Sequence, residues 1–174
     1  MIELRPLAPD DRERFIKDNQ AAFLYGAVEE FGLRDEHYEG DGQIISRETI
    51  ERSIDSGEAY RIYTYGEVAG GAVISVDGER GELELLFVTP SAHSKGIGYG
   101  AWCEIEKLHL EVRVWETVTS SFEKRNIHFY VNRCGFHIVE FFNSHHADPN
   151  DPDGSDGTLS DDGMFRFEKR INSN

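Results

Sequence analysis

The stretch Leu85 to Lys107, "LLFVTPSAHSKGIGYGAWCEIEK", decides the fold. It opens as an apolar run, meets Pro90, places Gly96, Gly98 and Gly100 at every second position, and then turns amphipathic. A strand therefore ends near Pro90 and a helix begins within "SKGIGYGAW". Glycine is a costly residue at a helix start, so the three need a reason. Without side chains, the backbone at Gly96 and Gly98 can take positive φ and let a ligand close on its amides. The first helical turn then points several N–H groups, with the positive end of the helix dipole, into one small volume. Such a volume suits phosphate or pyrophosphate. The spacing matches neither the P-loop, Gly-x-x-x-x-Gly-Lys-Ser/Thr, nor the dinucleotide fingerprint, Gly-x-Gly-x-x-Gly.

Upstream, "AYRIYTY", "VAGGAVISV" and "GELELLFV" read as strands joined by "GE" and "DGERG", short turns that suit antiparallel hairpins. "IELRPL" alternates like a half-buried strand. From Pro9 to Phe31, apolar residues at Phe15, Ile16, Phe23, Leu24, Ala27, Val28 and Phe31 recur near helical spacing, as one long helix or two short ones. "GLRDEHYEGDGQ" is a polar, glycine-punctuated loop, and "SRETIERSIDSG" starts on serine and stops at glycine like a short helix. Downstream, the helix runs to about Leu110, followed by a strand in "VRVWETVT", a helical pattern in "FEKRNIHFYVNRC" and strands in "GFHIVEFF" and "MFRFEKRI". The order βααβββαβαββ predicts a mixed α/β (α+β) fold: a central, mostly antiparallel twisted sheet flanked by helices, with a parallel crossover at the glycine stretch.

With 174 residues, 39% of them hydrophobic and 11% aromatic, the chain can bury one core, and its length argues for a single domain over 1–174. A formal charge of -15, from 33 acidic against 18 basic residues, repels nucleic acid and anionic lipid and favours cationic partners such as amines or basic peptide segments. Solubility alone also accounts for a charged surface. Cys103 and Cys134 lie in patterned apolar segments and read as small core residues of a reduced, cytoplasmic protein, with no leader and no apolar run long enough to cross a bilayer.

On "FVTPSAHSKGIG" the sequence resembles the GNAT superfamily of acyl-CoA-dependent N-acyltransferases. That family carries Gln/Arg-x-x-Gly-x-Gly/Ala after a strand ending in Val-x-Pro. The resemblance extends over the element order and to "FYVNRCGF", which is similar to the family's Tyr-x-x-x-Gly-Phe region. It implies that the backbone from Ser94 through Lys95, Gly96, Ile97 and Gly98 to Tyr99 cradles the pyrophosphate of acetyl-CoA. His93 stands where the family has Gln or Arg, and Gly100 adds a third glycine. Leu86, Phe87 and Val88 would offer main-chain groups to the pantetheine arm, and Asn126 would bond that arm or order water.

The implied reaction is acetyl transfer to a primary amine by direct attack in a ternary complex. A lysine-like ammonium must first lose a proton, at a cost of roughly 4.6 kcal/mol at neutral pH if left to bulk water. A general base relieves that cost. Glu82 and Glu84 share one face of the strand feeding the glycine loop, and the resemblance makes one of them the base; their alternation with leucine also fits a solvated strand face. Tyr130 is the implied acid for the thiolate. It stands five residues before Gly135, where the family places tyrosine four before, so a one-residue distortion of the helix is needed. A core aromatic beside Phe129 is the alternative.

The segment at about 143–163, "NSHHADPNDPDGSDGTLSDDG", is an acidic loop. His145, His146, Asp148, Asp151, Asp153 and Asp156 do not meet the EF-hand spacing, so no metal is expected there, and the loop could fold over the amine site as a lid. Glu29, Glu30 and Phe31 end the first helical region, which in the family helps wall the acceptor site. "IVEFF" serves a homodimer edge as readily as the core. A non-catalytic acyl-CoA sensor is the alternative to the enzyme.

Overall fold

The computed structural model describes residues 1–31, 42–93, 96–151 and 163–172. The elements run β1 (Ile2–Pro6), α1 (Arg12–Phe31), α2 (Arg47–Ser56), β2 (Glu58–Thr64), β3 (Glu67–Asp77), β4 (Arg80–Val88), α3 (Ile97–Leu108), β5 (Val114–Ser120), α4 (Lys124–His128), β6 (His137–Phe142) and β7 (Met164–Arg170). This is the order read from the sequence. The strands hydrogen-bond as β1-β2-β3-β4-β5-β7-β6. β4 and β5 are the parallel pair, while β1–β2, β2–β3, β5–β7 and β6–β7 run antiparallel. The result is the expected mixed sheet flanked by helices.

The chain divides into two compact units, Met1–Val76 with Leu83–Leu110, and Asp77–Glu82 with Glu111–Asn174. In the first, β4 sorts its side chains by alternation. Leu85 and Phe87 are buried in a cluster with Phe15, Ile16 and Ala22 of α1, Ile50 of α2 and Val73 of β3. Leu86 and Val88, on the other face, pack against a second cluster that includes Ile97 and Ala101 of α3. A half-buried strand between two helical layers reads as apolar on both faces, as "LLFV" does.

Two polar features fix the helices. Ser46 caps α2, its hydroxyl accepting from the Thr49 amide, an interaction worth about 1 kcal/mol. Arg61 of β2 is 2% exposed and donates to Asp11 at 2.6 Å and Asp18 at 2.9 Å, clasping the start of α1. Its guanidinium also lies 5.2 Å from the ring centre of Phe15.

The second unit is built on β5, β7 and β6. Trp115, Thr117 and Thr119 are buried, and Thr117 stands opposite the fully buried Phe167. The intervening residues put Glu116 opposite Glu168 and Val118 opposite Arg166 on the other face. "IVEFF" divides: Phe142 is buried, whereas Ile138, Val139 and Phe141 are each more than 40% exposed on the terminal strand.

Of the acidic loop, residues 143–151 are described: the Asn143 side chain accepts from the His145 and His146 amides, and His146 bonds Glu140 at 2.7 Å. Asp153 and Asp156, and with them the rest of the lid expectation, lie outside the described residues. Among the described residues no group of three or more His, Cys, Asp or Glu is placed to hold a metal ion. No described helix is long and apolar enough to cross a membrane. Cys103 is half-buried, Cys134 is buried, and neither is in a disulfide.

Gly100 answers part of the question the glycines raise. A Cβ there would lie 2.8 Å from Cγ1 of Ile2, so this glycine lets α3 approach β1. Gly100→Val should lower unfolding free energy by about 1–3 kcal/mol in urea denaturation, the usual cost of overfilling a packed contact.

Candidate functional site

In the first unit, β4 ends at Val88 and a single turn of 3-10 helix, Pro90–Ala92, leads towards α3. The strand end is tied down: Thr89 donates its amide to the Ala69 carbonyl at 2.8 Å. Gly96 is the N-cap of α3 at φ 71° and ψ 12°, in the left-handed region. A Cβ at Gly96 would meet nothing within 4 Å, so steric contact is no part of its reason; backbone conformation is. The first intrahelical bond runs from the Gly100 amide to the Gly96 carbonyl at 3.0 Å. The N–H groups ahead of that bond point out of the N-terminal end of α3. With the dipole of a 12-residue helix behind them, they face a region that favours negative charge.

Around this turn, Ile97 is buried, Gly98 is half-buried and Tyr99 is 39% exposed. His93 is half-buried and sets its ring edge-on to Tyr25 of α1, centroids 5.2 Å apart. Ser94 and Lys95 lie outside the described residues. Tyr25 in turn donates to Glu29 at 2.6 Å, so Glu29 is joined to the aromatic that meets His93. The side chains of Glu30 and Phe31 lie outside the described residues.

Main-chain direction along β4 alternates as side chains do. A Cβ built on Gly70 would lie 2.1 Å from the Phe87 carbonyl oxygen, which places that carbonyl towards β3. The main-chain groups of Leu86 and Val88 then point to the opposite edge. Within the first unit, β4 is the last strand of its sheet.

Glu82 is exposed, Glu84 is half-buried, and the two share the β4 face that also carries Leu86 and Val88. In the second unit Glu82 lies beside Glu116 in the parallel β4–β5 register. Glu116 is paired with Arg80 and with Arg166, the latter at 2.8 Å. Sequence reading missed this charged face; its signal was the charged residues interleaved with aromatics in "MFRFEKR".

Tyr130 belongs to the second unit and follows α4 in a π-helical turn, Phe129–Arg133. The Cys134 amide bonds the Phe129 carbonyl at 3.0 Å, a five-residue reach that takes up one extra residue relative to an α-helix. The chain then turns at Gly135, φ 82°, and the Phe136 amide reaches the Tyr130 carbonyl at 2.9 Å. This is the kind of one-residue distortion the Tyr130–Gly135 spacing calls for.

The Tyr130 ring is buried against Phe129, Phe136 and Phe167, with centroids between 5.4 and 5.7 Å. Burial pushes its hydroxyl up to about 12, against which a hydrogen bond with Thr117 works, while Cys134 adds to the rise. Tyr130 and Glu82 are not on one face: Glu82 aligns with Glu116, whereas Tyr130 bonds Thr117, the next residue along β5, which points the other way. Asn126 is exposed and donates its side-chain amide to Thr119 at 3.2 Å.

The family model for the acetyltransferase (GNAT) family matches residues 17–136. The Bacillus subtilis (strain 168) protein YrkN is 42% identical over 167 residues, spanning 91% of this chain and 88% of that protein. Among solved structures, the PaiA N-acetyltransferase of Thermoplasma acidophilum in complex with coenzyme A is similar at TM-score 0.68 and 18% identity, over 98% of this chain and 99% of that one. A GNAT family acetyltransferase from Elizabethkingia anophelis with acetyl-CoA bound gives TM-score 0.65 at 16% identity, covering 98% of each chain. At such identities the two structures speak for the fold.

The buried phenol has a consequence for stability. Its folded pKa, about 12, lies above the ordinary 10.0, so its contribution is complete below pH 10 and is lost as pH rises towards 12. Chemical denaturation across that window should show the wild type losing about 3 kcal/mol more than Tyr130→Phe. Equal losses in the two proteins would contradict the burial.

Proposed function

The chain belongs to the GNAT acetyltransferase family and is an acyltransferase, and from that premise we propose that it moves acetyl from acetyl-CoA to a primary amine by direct attack in a ternary complex, as one domain. The observation that carries this is the left-handed Gly96 opening α3 after β4, a strand whose register with β5 covers Arg80, Gly81 and Glu82, short of its Val88 end. Open space at Gly96 and the helix N-terminus that begins there fit a pyrophosphate. Ser94, Lys95, Gly96, Ile97, Gly98 and Tyr99 would hold it, with His93 alongside. Leu86 and Val88, whose main-chain groups face away from β3, are better placed than Phe87 to bond a pantetheine arm. Acetyl-CoA supplies the activated acyl group; the chain supplies binding, a base and a donor.

Glu82 or Glu84 takes the proton of the incoming ammonium, so that the amine attacks as a neutral nucleophile. Tyr130 acts on the departing sulfur. A phenol near 12 stays protonated throughout the neutral range. Full transfer of its proton to a thiolate of ordinary pKa is uphill by roughly 5 kcal/mol, so its role here is hydrogen-bond donation to the developing charge. Asn126, exposed on α4, is the weaker candidate for a bond to the cosubstrate or to ordered water. Exposed Ile138, Val139 and Phe141 of β6 are the surface a second copy would cover in a homodimer. The acidic composition supports a cationic acceptor.

A thiol-release assay with acetyl-CoA and a panel of amines tests the reading. Glu82→Gln and Glu84→Gln are compared from pH 7 upward. The variant lacking the base should lose about 10²–10⁴-fold in kcat, with the loss shrinking as pH rises and the amine sheds its own proton. Turnover on every amine unaffected by either substitution would remove both glutamates from the chemistry.

A further inference from the structure

In the first unit, α1 carries a carboxamide where its neighbours one helical turn away are apolar. Asn19 is fully buried. Phe15 and Ile16 stand on one side of it and Ala22 and Phe23 on the other, all packed in the cluster that holds Leu85 and Phe87 of β4. Among the described residues, neither Nδ2 nor Oδ1 of Asn19 has a hydrogen-bond partner. A leucine has the same branched shape and no polar atom, so asparagine is here the costlier choice. Buried polar groups are as a rule paired, and an exception calls for a partner that the chain itself does not supply.

Gln43 presents a second such atom. Its Oε1 is buried and, among the described residues, also without a partner. Two residues on, Ile45 joins the cluster of Phe15, Ile16 and Ala22, and its carbonyl accepts from Gln20 of α1 at 3.3 Å. The segment bearing Gln43 is thus laid on the helix bearing Asn19. Gly42 is exposed and Gln43 half-buried, so that segment leads from solvent to the cluster. The charged groups of this corner already have partners: Arg12 pairs with Asp55, Arg47 with Glu13 and Glu51, and Arg61 with Asp11 and Asp18. What is left unmet is neutral. One C=O and one NH₂ on a single planar group pair face to face with another amide through two hydrogen bonds, and the Gln43 oxygen accepts a further N–H.

We propose that Asn19, together with Gln43, determines specificity by binding the neutral amide of a substrate. The inference rests on the acetyl-transfer reading for the source of that amide, which is either the pantetheine arm of acetyl-CoA or an acceptor that bears a carboxamide beside its amine. α1 packs on Leu85 and Phe87 and meets His93 through Tyr25, so Asn19 lies on the helix that touches both the strand and the turn assigned to the donor.

The side-chain amide signals of Asn19, identified by their loss in Asn19→Leu, test this in proton–nitrogen NMR spectra of the full chain. Coenzyme A, glycinamide and propylamine are added in turn. The ligand that supplies the amide should move the Asn19 signals downfield, as a donated hydrogen bond does, and propylamine should leave them in place. A shift with coenzyme A alone assigns the subsite to the arm of the donor, and a shift with glycinamide assigns it to the acceptor. Asn19→Leu should unfold at higher urea concentration than wild type, yet lose about tenfold in affinity for the amide-bearing ligand. A merely structural role does not combine a gain in stability with a loss of binding. Should the leucine variant not fold, Gln43→Met at its half-buried position carries the same comparison, with a loss of about threefold. Asn19 signals unmoved by coenzyme A and by glycinamide would overturn the proposal. So would unchanged affinities in both variants, the result expected of a carboxamide that an internal water satisfies. Absence of any coenzyme A binding sinks the acetyl-transfer reading, while the glycinamide spectra still report on Asn19.

Discussion

At φ 71° Gly96 holds a conformation that costs a residue bearing a Cβ about 1–2 kcal/mol, and α3 begins from it. The turn it makes directs the start of α3, so the first-turn amides depend on it. The same helix must then lie close enough to β1 for Gly100 to face Ile2 without a side chain between them. One glycine thus aims the amides and another seats the helix that carries them. Gly98, between the two, leaves the helix start without a side chain.

β4 is the second constraint. Its alternate residues are committed to two clusters, Leu85 and Phe87 to one and Leu86 and Val88 to the other, so neither face can shift by a residue without exposing a core. That fixed register determines where Glu82 and Glu84 point. It also turns the Phe87 carbonyl to β3 and the neighbouring main-chain groups to the strand's other edge. In the second unit, β5 sorts chemistry in the same way. Thr117 meets the buried phenol of Tyr130, while Glu116 enters the ion-pair network of Arg80 and Arg166. The strand thus keeps the carboxylates and the phenol on opposite faces.

Much of this was legible in the sequence because period and punctuation carry it. Among the described residues the strands and α-helices follow the anticipated order, since alternation in "ELELLFV" and glycine or proline at the boundaries are local signals. The Tyr130 spacing, one residue too long, already called for a distortion, although only the backbone shows that a π-helical turn absorbs it. What stayed hidden depends on partners far apart in the chain. Arg61 looks like any strand arginine until Asp11 and Asp18 are brought to it. Asp148 reads as one more loop aspartate among many, and its burial beside Glu116 and Arg166 follows from β5 and β7 pairing, which no local pattern reveals. The third glycine stood out in the sequence only as an addition to the family's pattern and is explained by packing against Ile2.

The central claim is that the amides opening α3 hold the pyrophosphate of the acyl donor. Amide hydrogen exchange of the full-length protein with and without coenzyme A tests it most directly. The account predicts slowed exchange at Gly96, Ile97, Gly98 and Tyr99, and loss of that protection in Gly96→Val, where the turn can no longer form without strain. Coenzyme A binding that leaves those four amides unchanged, with protection appearing elsewhere, would contradict it.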